Sequence, residues 1–139
     1  MTIKMPTCPC GCPAPYESCC GRWHVSVAPA APDAETLMRS RYSAYVLGLD
    51  DYLLATWHAS TRPTTLDPAE PGLRWLGLEV RRTHGGGSSS SDGGSDSAEV
   101  EFVARSKLGG RAHRLHETSR FVREGGRWFY VDGKLHTHR

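Results

Sequence analysis

Apolar residues in the first third of the chain recur at steps of three and four, which is the spacing of one helical face. Asp33 is a suitable N-cap for this segment, and Gly48 is suited to its end. The pattern therefore predicts an amphipathic helix from about residue 33 to 48. Its apolar stripe consists of Ala34, Leu37, Met38, Tyr42, Tyr45 and Leu49. Three residues fall mostly off this stripe: Arg39, Ser40 and Ser43.

A second helix is expected from about residue 50 to before Pro63, and after Gly72 the periodicity changes to two. Paired glycines at 109–110 and 125–126 indicate turns between the alternating segments. Four strands joined mostly by short turns favour an antiparallel sheet, so we predict an α+β fold. The expected same-face sets are Leu76 with Leu78 and Val80, Glu117 with Ser119, and Asp132 with Trp128 and Tyr130.

Composition divides the chain into three regions. Residues 1–24 carry all the cysteines, residues 25–32 (VSVAPAAP) form a linker, and residues 33–139 form the α+β domain. Within that domain, residues 85–97 (GGGSSSSDGGSDS) are too polar to bury apolar surface. We expect them to form a flexible hairpin loop.

Charge and hydropathy narrow the classes of partner. The formal net charge is only +2, and the sequence has no dense cluster of basic residues. A nucleic-acid partner is therefore not expected. The sequence contains no apolar run of the ~18 residues that span a bilayer, and no apolar segment follows Lys4 as in a secretory signal. We therefore expect a cytoplasmic protein in a reducing compartment, where stable disulfides are rare.

All five cysteines lie in CPCGCPAPYESCC, residues 8–20. Four thiolates, from Cys8, Cys10, Cys19 and Cys20, can close a tetrahedron around zinc, and their softness favours zinc or iron over magnesium or calcium. A disulfide cluster would leave one thiol unpaired, and a thioredoxin-like redox site would need Cys-x-x-Cys spacing. Structural metal binding is the favoured interpretation.

This segment resembles the SEC-C motif, a cysteine-rich zinc module at the tail of the SecA translocation motor. The matching residues are Cys8, Pro9, Cys10, Gly11, Tyr16, Cys19, Cys20 and Gly21. The resemblance implies one zinc per chain, held by the four cysteines named above. The family usually has serine in place of Cys12, which is therefore a candidate extra ligand, and His24 is another.

The rest of the chain resembles the YchJ-like family. The segments that carry the resemblance are 37–45, 52–63, 75–80, 101–105, 115–121 and 126–133. The family implies a domain similar to nuclear transport factor 2, in which helices wrap a curved antiparallel sheet into a cone. It implies no particular reaction.

Cone-shaped folds often enclose a pocket, and fold alone does not choose its function. Candidate pocket residues are Arg39, Trp57, His58, Arg62, Glu117, Ser119 and Tyr130. A catalytic interpretation pairs His58 as general base with Glu117 or Asp132 as the orienting carboxylate. The structural alternative is a buried polar network that fixes the helices on the sheet. Arg39 and Arg41 point in different directions on their helix, so one is expected to pair with a carboxylate and the other to face solvent or the zinc module.

Three functions are compatible with these features. The favoured one is an interaction protein whose zinc module contacts a protein or ribosomal partner, with the second domain as scaffold or dimerisation unit. The second is a small-molecule binding protein or enzyme that uses the cone pocket. The third is metal handling, with Cys12 as a spare thiolate. No phosphate loop, nucleophile elbow or dinucleotide motif is present, so an enzyme is the less favoured class.

Overall fold

The structure, a computed structural model, describes residues 8–11, 14–24, 31–66, 71–85 and 96–136. Within these residues, a 3-10 turn precedes three helices and four strands, and the strands form one antiparallel sheet in the order β1-β2-β3-β4. The elements are the turn Tyr16–Ser18, α1 Gly21–His24, α2 Ala34–Leu47, α3 Asp50–Ala55, β1 Arg74–Gly85, β2 Ser97–Leu108, β3 Arg111–Glu124 and β4 Arg127–Leu135. The predicted α+β class with four antiparallel strands is confirmed.

Helix α2 begins and ends where the sequence predicts. The Asp33 carboxylate accepts a hydrogen bond from the Thr36 amide at 2.7 Å, and Gly48 adopts the left-handed conformation with φ of 73°. Helix α3 is shorter than predicted. It ends at Ala55 because the chain leaves the helix to pair with β4, where Trp57 and Tyr130 form a parallel bridge.

Three β-bulges interrupt the sheet that the structure describes, at Leu76 and Arg81 in β1 and at Val131 in β4. Those at Leu76 and Val131 change the faces that the sequence predicts. In β1 the register shifts between Trp75 and Gly77, so Leu76 is an extra residue. Its side chain is 55% exposed, whereas Leu78 and Val80 pack against the core, so the prediction that Leu76 shares their face is wrong. In β4 the register shifts between Tyr130 and Asp132. Each bulge opposes two residues to one, which reverses the alternation that a regular strand would show.

The core lies between α2 and one face of the sheet, which we call the concave face. Its central buried residues are Leu37, Met38, Tyr42, Val100, Phe102, Phe121 and Trp128. Ser40 and Ser43 are fully buried as well, although they lie off the apolar stripe. Helix α2 is buried on a second side because the cysteine-rich segment packs there.

Two predicted loops fall largely outside the described residues, namely 25–30 of the linker and 86–95 of the glycine- and serine-rich segment. The ends of the latter are described, and Gly85 and Ser97 belong to strands rather than to the loop. Among the helices that the structure describes, none is long and apolar enough to cross a membrane.

Candidate metal centre and sheet cavity

The four predicted sulfur ligands converge. The Sγ atoms of Cys8, Cys10, Cys19 and Cys20 all lie within 4.8 Å of one another, and those of Cys10 and Cys19 are 3.6 Å apart. A tetrahedral zinc site with Zn–S bonds of ~2.3 Å separates its sulfurs by about 3.8 Å. The cluster therefore fits a four-coordinate metal with small movements of the side chains.

Local backbone geometry brings the two cysteine pairs together. The Gly11 amide donates to the Cys8 carbonyl at 3.1 Å, and this turn needs the φ of +93° that Gly11 adopts. The second pair follows the 3-10 turn, where the Cys19 amide donates to the Tyr16 carbonyl at 3.0 Å. A side chain at Gly21 would come within 2.8 Å of that same carbonyl oxygen. Both glycines are therefore requirements of the fold of this segment.

The protonation and redox states of the sulfurs bear on metal binding. Cys8, Cys10 and Cys20 are free thiols, whereas Cys19 is disulfide-bonded. A hydrogen bond with Cys10, together with burial, raises the pKa of the Cys20 thiol well above its ordinary value. A four-sulfur metal site therefore requires Cys19 in its reduced form, and the metal would displace protons from buried thiols. Cys12, the possible fifth ligand, lies outside the described residues.

The cysteine-rich segment is packed against helix α2. Cys8 Sγ lies 3.5 Å from Ser43 Oγ, and Arg39 Nη1 donates to the Cys10 carbonyl at 3.1 Å. Arg39 Nε also donates to Glu35 at 2.9 Å. The sequence predicts that one arginine of α2 pairs with a carboxylate and that the other faces solvent or the zinc module. Arg39 makes both contacts, whereas Arg41 is buried against α3, so the predicted division is wrong. Arg39 was also a candidate pocket residue, but these contacts hold it on the side of α2 that faces the cysteine-rich segment.

His24 anchors the segment without joining the sulfur cluster. Its Nε2 donates to the Ser40 carbonyl at 2.8 Å, so Nδ1 accepts from the Tyr16 hydroxyl. The ring also packs edge-on against Tyr52, with centroids 4.6 Å apart. Burial lowers the pKa of His24, which favours this neutral, doubly hydrogen-bonded form. Both ring nitrogens are occupied, and the structure gives His24 no position among the sulfur ligands.

A cavity of about 200 Å³ lies on the opposite side of α2, against the concave face of the sheet. Its apolar walls include Met38, Tyr42, Tyr45, Trp75, Phe102 and Phe121. Three predicted pocket residues line it, namely Glu117, Ser119 and Tyr130. The Ser119 hydroxyl donates to Glu117 at 2.7 Å. As predicted, Glu117 and Ser119 share the concave face of β3.

Arg41 lines the same cavity and was not among the predicted pocket residues. It is 5% exposed, and its Nη1 donates to the Leu53 carbonyl at 2.7 Å and to the Thr56 hydroxyl at 2.6 Å. The guanidinium also lies 4.6 Å from the centroid of the Tyr130 ring, and burial lowers its pKa. The sequence did carry a signal, because Arg41 follows Leu37 by four residues and lies on the apolar stripe.

The remaining candidates lie elsewhere. His58 Nε2 contacts Glu124 at 2.6 Å on the surface, and neither Trp57 nor Arg62 lines the cavity. Asp132 forms a two-bond ion pair with Arg120 on the convex face. The prediction that Asp132 shares a face with Tyr130 is wrong, because the β4 bulge turns it away. The structure therefore does not bring His58, Glu117 and Asp132 together as an acid–base set.

Comparison with known proteins places this arrangement in a family. Residues 33–133 match the family model described as YchJ, middle NTF2-like domain. The chain is 67% identical to a UPF0225 protein of Methylibium petroleiphilum, over 92% of this chain and 88% of that protein. It is 54% identical to a UPF0225 protein of Bordetella pertussis, over 92% of each.

Two solved structures share the fold over most of the chain. The solution structure of a SEC-C motif containing protein from Rhodopseudomonas palustris is 29% identical, with a TM-score of 0.74 over 94% of this chain and 98% of that one. The crystal structure of a SEC-C motif containing protein from Psychrobacter arcticus is 27% identical, with a TM-score of 0.70 over 95% and 84%. From the domain match and these relatives, the chain belongs to the UPF0225, or YchJ-like, family of SEC-C motif proteins.

Proposed function

We propose that the chain is a zinc-binding interaction protein whose cysteine-rich segment contacts a protein or ribosomal partner. The supporting observation is the convergence of four sulfurs in a closed site, with Cys8, Cys10 and Cys20 at most 3% exposed. Structural zinc sites are closed by four protein ligands, whereas catalytic sites keep one position for water or substrate. Zinc in this site shapes a surface and leaves no open coordination position for a reaction.

Elemental analysis of reduced, tag-free protein tests the metal. We expect about one zinc per chain in the wild type, as for a single four-sulfur site, and almost none in Cys20→Ser. Cys12→Ser is the matched control and should retain the metal, because four ligands remain. Zinc content below about a tenth of one equivalent in the reduced wild type would contradict the proposal. Release of zinc to a chelator without unfolding would instead support metal handling.

The surface that zinc would fix is small and chemically distinctive. Glu17 and Arg22 are exposed on the short helical turns beside the sulfurs. The Arg22 guanidinium lies 4.9 Å from the centroid of the Trp23 ring. Tryptophan and arginine are the residue types most enriched at interaction hot spots, so this pair is the part of the segment that we assign to the partner.

Variants that keep zinc can separate the partner surface from the metal. Arg22→Ala with Trp23→Ala should retain zinc and lose the partner, whereas Arg105→Ala, an exposed arginine on the sheet, should lose neither. The measurement is comparative capture from bacterial extract by wild type and variants, followed by a binding titration with the purified candidate. An unchanged set of captured proteins in the Arg22 and Trp23 variant, and in Cys20→Ser, would contradict an adaptor role.

The cavity supports a second candidate function, the binding of a small molecule. Arg41 and Glu117 both line it. The Arg41 guanidinium donates to the Leu53 carbonyl and the Thr56 hydroxyl, and Glu117 accepts from the Ser119 hydroxyl. A ligand there would meet a cation and a carboxylate between aromatic walls. The volume is below the ~300–1,000 Å³ of drug-sized pockets, so the ligand would be a small, mainly apolar molecule with a polar edge.

A fragment screen by ligand-observed NMR tests this candidate with small aromatic amides and phenols as probes. Ala104 lines the cavity and is 3% exposed, so Ala104→Leu should fill space and displace any bound fragment. Ala55→Leu, on helix α3 and outside the cavity lining, is the control. Fragments that bind the Ala104 variant as well as the wild type would contradict use of the cavity.

A further inference from the structure

The convex face of the sheet, opposite the cavity, carries a group of nitrogen and oxygen donors that none of the functions above uses. Glu101 lies on β2, His116 on β3, and His136 directly after β4. One ligand atom from each lies within 4.8 Å of the others. Three neighbouring backbone segments of the sheet thus each contribute one side chain to the same group, although the residues are well separated in sequence.

The backbone pairing explains why these residues meet. Glu101 is paired with Thr118 and Val103 with His116, so Glu101 and His116 are diagonal neighbours on one face. The His136 amide donates to the His116 carbonyl at 2.8 Å, which continues the ladder by one residue beyond β4. The two imidazole rings are stacked, with centroids 4.2 Å apart and planes inclined by 16°. The group is therefore positioned by the sheet itself.

We propose that Glu101, His116 and His136 form a binding site for a divalent transition-metal ion, separate from the cysteine cluster. His116 Nε2 and Glu101 Oε2 are hydrogen-bonded at 2.6 Å, and a cation would replace the proton between them. Two imidazoles and a carboxylate suit Zn²⁺, Ni²⁺, Cu²⁺ or Fe²⁺, whereas Mg²⁺ and Ca²⁺ prefer oxygen ligands alone. A three-residue donor set also leaves coordination positions for water or a further ligand.

The surroundings both assist and oppose a cation. A surface cleft beside the site is lined by Glu99 and His84, which add one carboxylate and one imidazole within reach of the entrance. Thr118 Oγ1 lies 2.7 Å from His136 Nε2 and orients that ring, as outer-shell partners do in metal sites. Arg82 lines the same cleft and its charge opposes a cation. We therefore expect modest affinity for a cation. Among the divalent transition metals, Ni²⁺ and Cu²⁺ should bind most tightly.

The alternative is that the His116–Glu101 hydrogen bond simply satisfies a nearly buried histidine. His116 is 8% exposed, and a buried polar side chain requires a partner with or without metal. That alternative gives the His136 ring only a structural role, through stacking on His116 and the contact with Thr118. It also predicts no metal binding at all on this face, which makes the two interpretations easy to separate.

The test is a titration with Ni²⁺ of reduced, tag-free protein that has been loaded with zinc. Binding is measured by calorimetry, and the product is then analysed for zinc. We expect one further equivalent of Ni²⁺ to bind without release of zinc. Its affinity should fall by about tenfold or more in His136→Ala and in Glu101→Gln, since even outer-shell changes cost about 10–100-fold. Paramagnetic broadening should be strongest at His116 and His136.

Two control variants sharpen the result. His113→Ala removes a histidine from the same strand on the opposite face, and His138→Ala removes the next histidine of the tail; both should bind Ni²⁺ as the wild type does. Failure of the zinc-loaded wild type to bind Ni²⁺, or binding that survives Glu101→Gln but is lost in His138→Ala, would overturn the proposal. The test does not depend on any partner or ligand of the cavity.

Discussion

Helix α2 is buried on two sides, and the two sides differ in kind. On one side the cysteine-rich segment contacts Ser40, Ser43 and Arg39, and its donors converge on one point. On the other side the helix faces a cavity with Arg41 at its wall. On the cysteine side, four sulfur atoms of the protein surround one point. On the other side, a cavity remains between the helix and the sheet.

The difference shows how the same helix can serve two purposes. Closed clusters of soft donors are suited to holding a metal for structure, while a cavity with a few polar groups is suited to a small ligand. Because both share α2, disturbance of one side should be felt on the other. The cysteine-rich segment is thus part of the packing of the domain and not a separate appendage.

The largest expected effect is that of metal removal. If free zinc is held at ~1,000 times its dissociation constant, binding contributes about 4 kcal/mol to the free energy of unfolding. A chelator should therefore lower the melting temperature of the reduced protein and speed hydrogen exchange on the Ser40 and Ser43 side of α2. Differential scanning calorimetry and exchange mass spectrometry measure both.

The matched control for metal removal is Cys10→Ser, whose melting temperature should be low already and insensitive to chelator. If the reduced wild type kept its melting temperature in chelator, the sulfur cluster would stabilise the fold without metal. The two sides of α2 would then differ in packing alone.

The second effect concerns the arginines on the two sides. Arg41→Met leaves the Leu53 carbonyl and Thr56 hydroxyl without their charged donor, which should cost about 1.5–3 kcal/mol. Arg39→Met, two residues away, breaks a partly exposed ion pair with Glu35, worth about 0–1 kcal/mol, and one hydrogen bond to the Cys10 carbonyl. Because Arg39 is more exposed than Arg41, we expect the smaller total loss from Arg39→Met. Urea denaturation compares the two variants. Equal losses in the free energy of unfolding would mean that the arginine contacts on the cavity side contribute no more to stability than those on the cysteine side.

The sequence predicts the parts of the fold that depend on local patterns. The cap at Asp33, the end at Gly48 and the alternation in β2 and β3 are short-range features, and the structure has them. The sulfur cluster was also predictable, because its ligands lie within 13 residues of sequence and their chemistry restricts their use.

The features that the sequence did not predict depend on register or on long-range packing. Nothing local marks Leu76 or Val131 as the extra residue of a bulge, yet each bulge changes which side chains face the cavity. The burial of Ser40 and Ser43 arises from contacts with residues 16 and 35 positions earlier in the chain, His24 and Cys8. Glu101, His116 and His136 likewise meet only because three strands pair in one register.

A third, smaller effect tests the wall of the cavity. A Cβ at Gly133 would lie 2.1 Å from Glu117 Oε2, so Gly133→Ala should displace the carboxylate and break its hydrogen bond from Ser119. We expect a loss of about 1–2 kcal/mol that disappears in the Glu117→Ala background. Gly77→Ala, where a Cβ meets nothing within 4 Å, is the control. Equal losses from both alanines in thermal denaturation would show that Glu117 is free to move.

The smallest effect is a pH dependence on the cysteine side. Burial lowers the pKa of His24 in the folded protein, so the unfolded chain binds more protons below its ordinary pKa of ~6.5. The stabilisation by neutral His24 is complete above that pH and is lost as pH falls toward the folded-state pKa. His24→Gln should therefore lose less stability than the wild type between about pH 7.5 and 5.5, a range that spans the unfolded pKa. The control is His113→Gln, at an exposed position, which should behave as the wild type does. Acid weakens the binding of metal to thiolates in all three proteins. Only the difference between their pH profiles therefore reports on His24. Parallel pH profiles for the wild type and His24→Gln would show that the ring contacts of His24 do not depend on its neutral form.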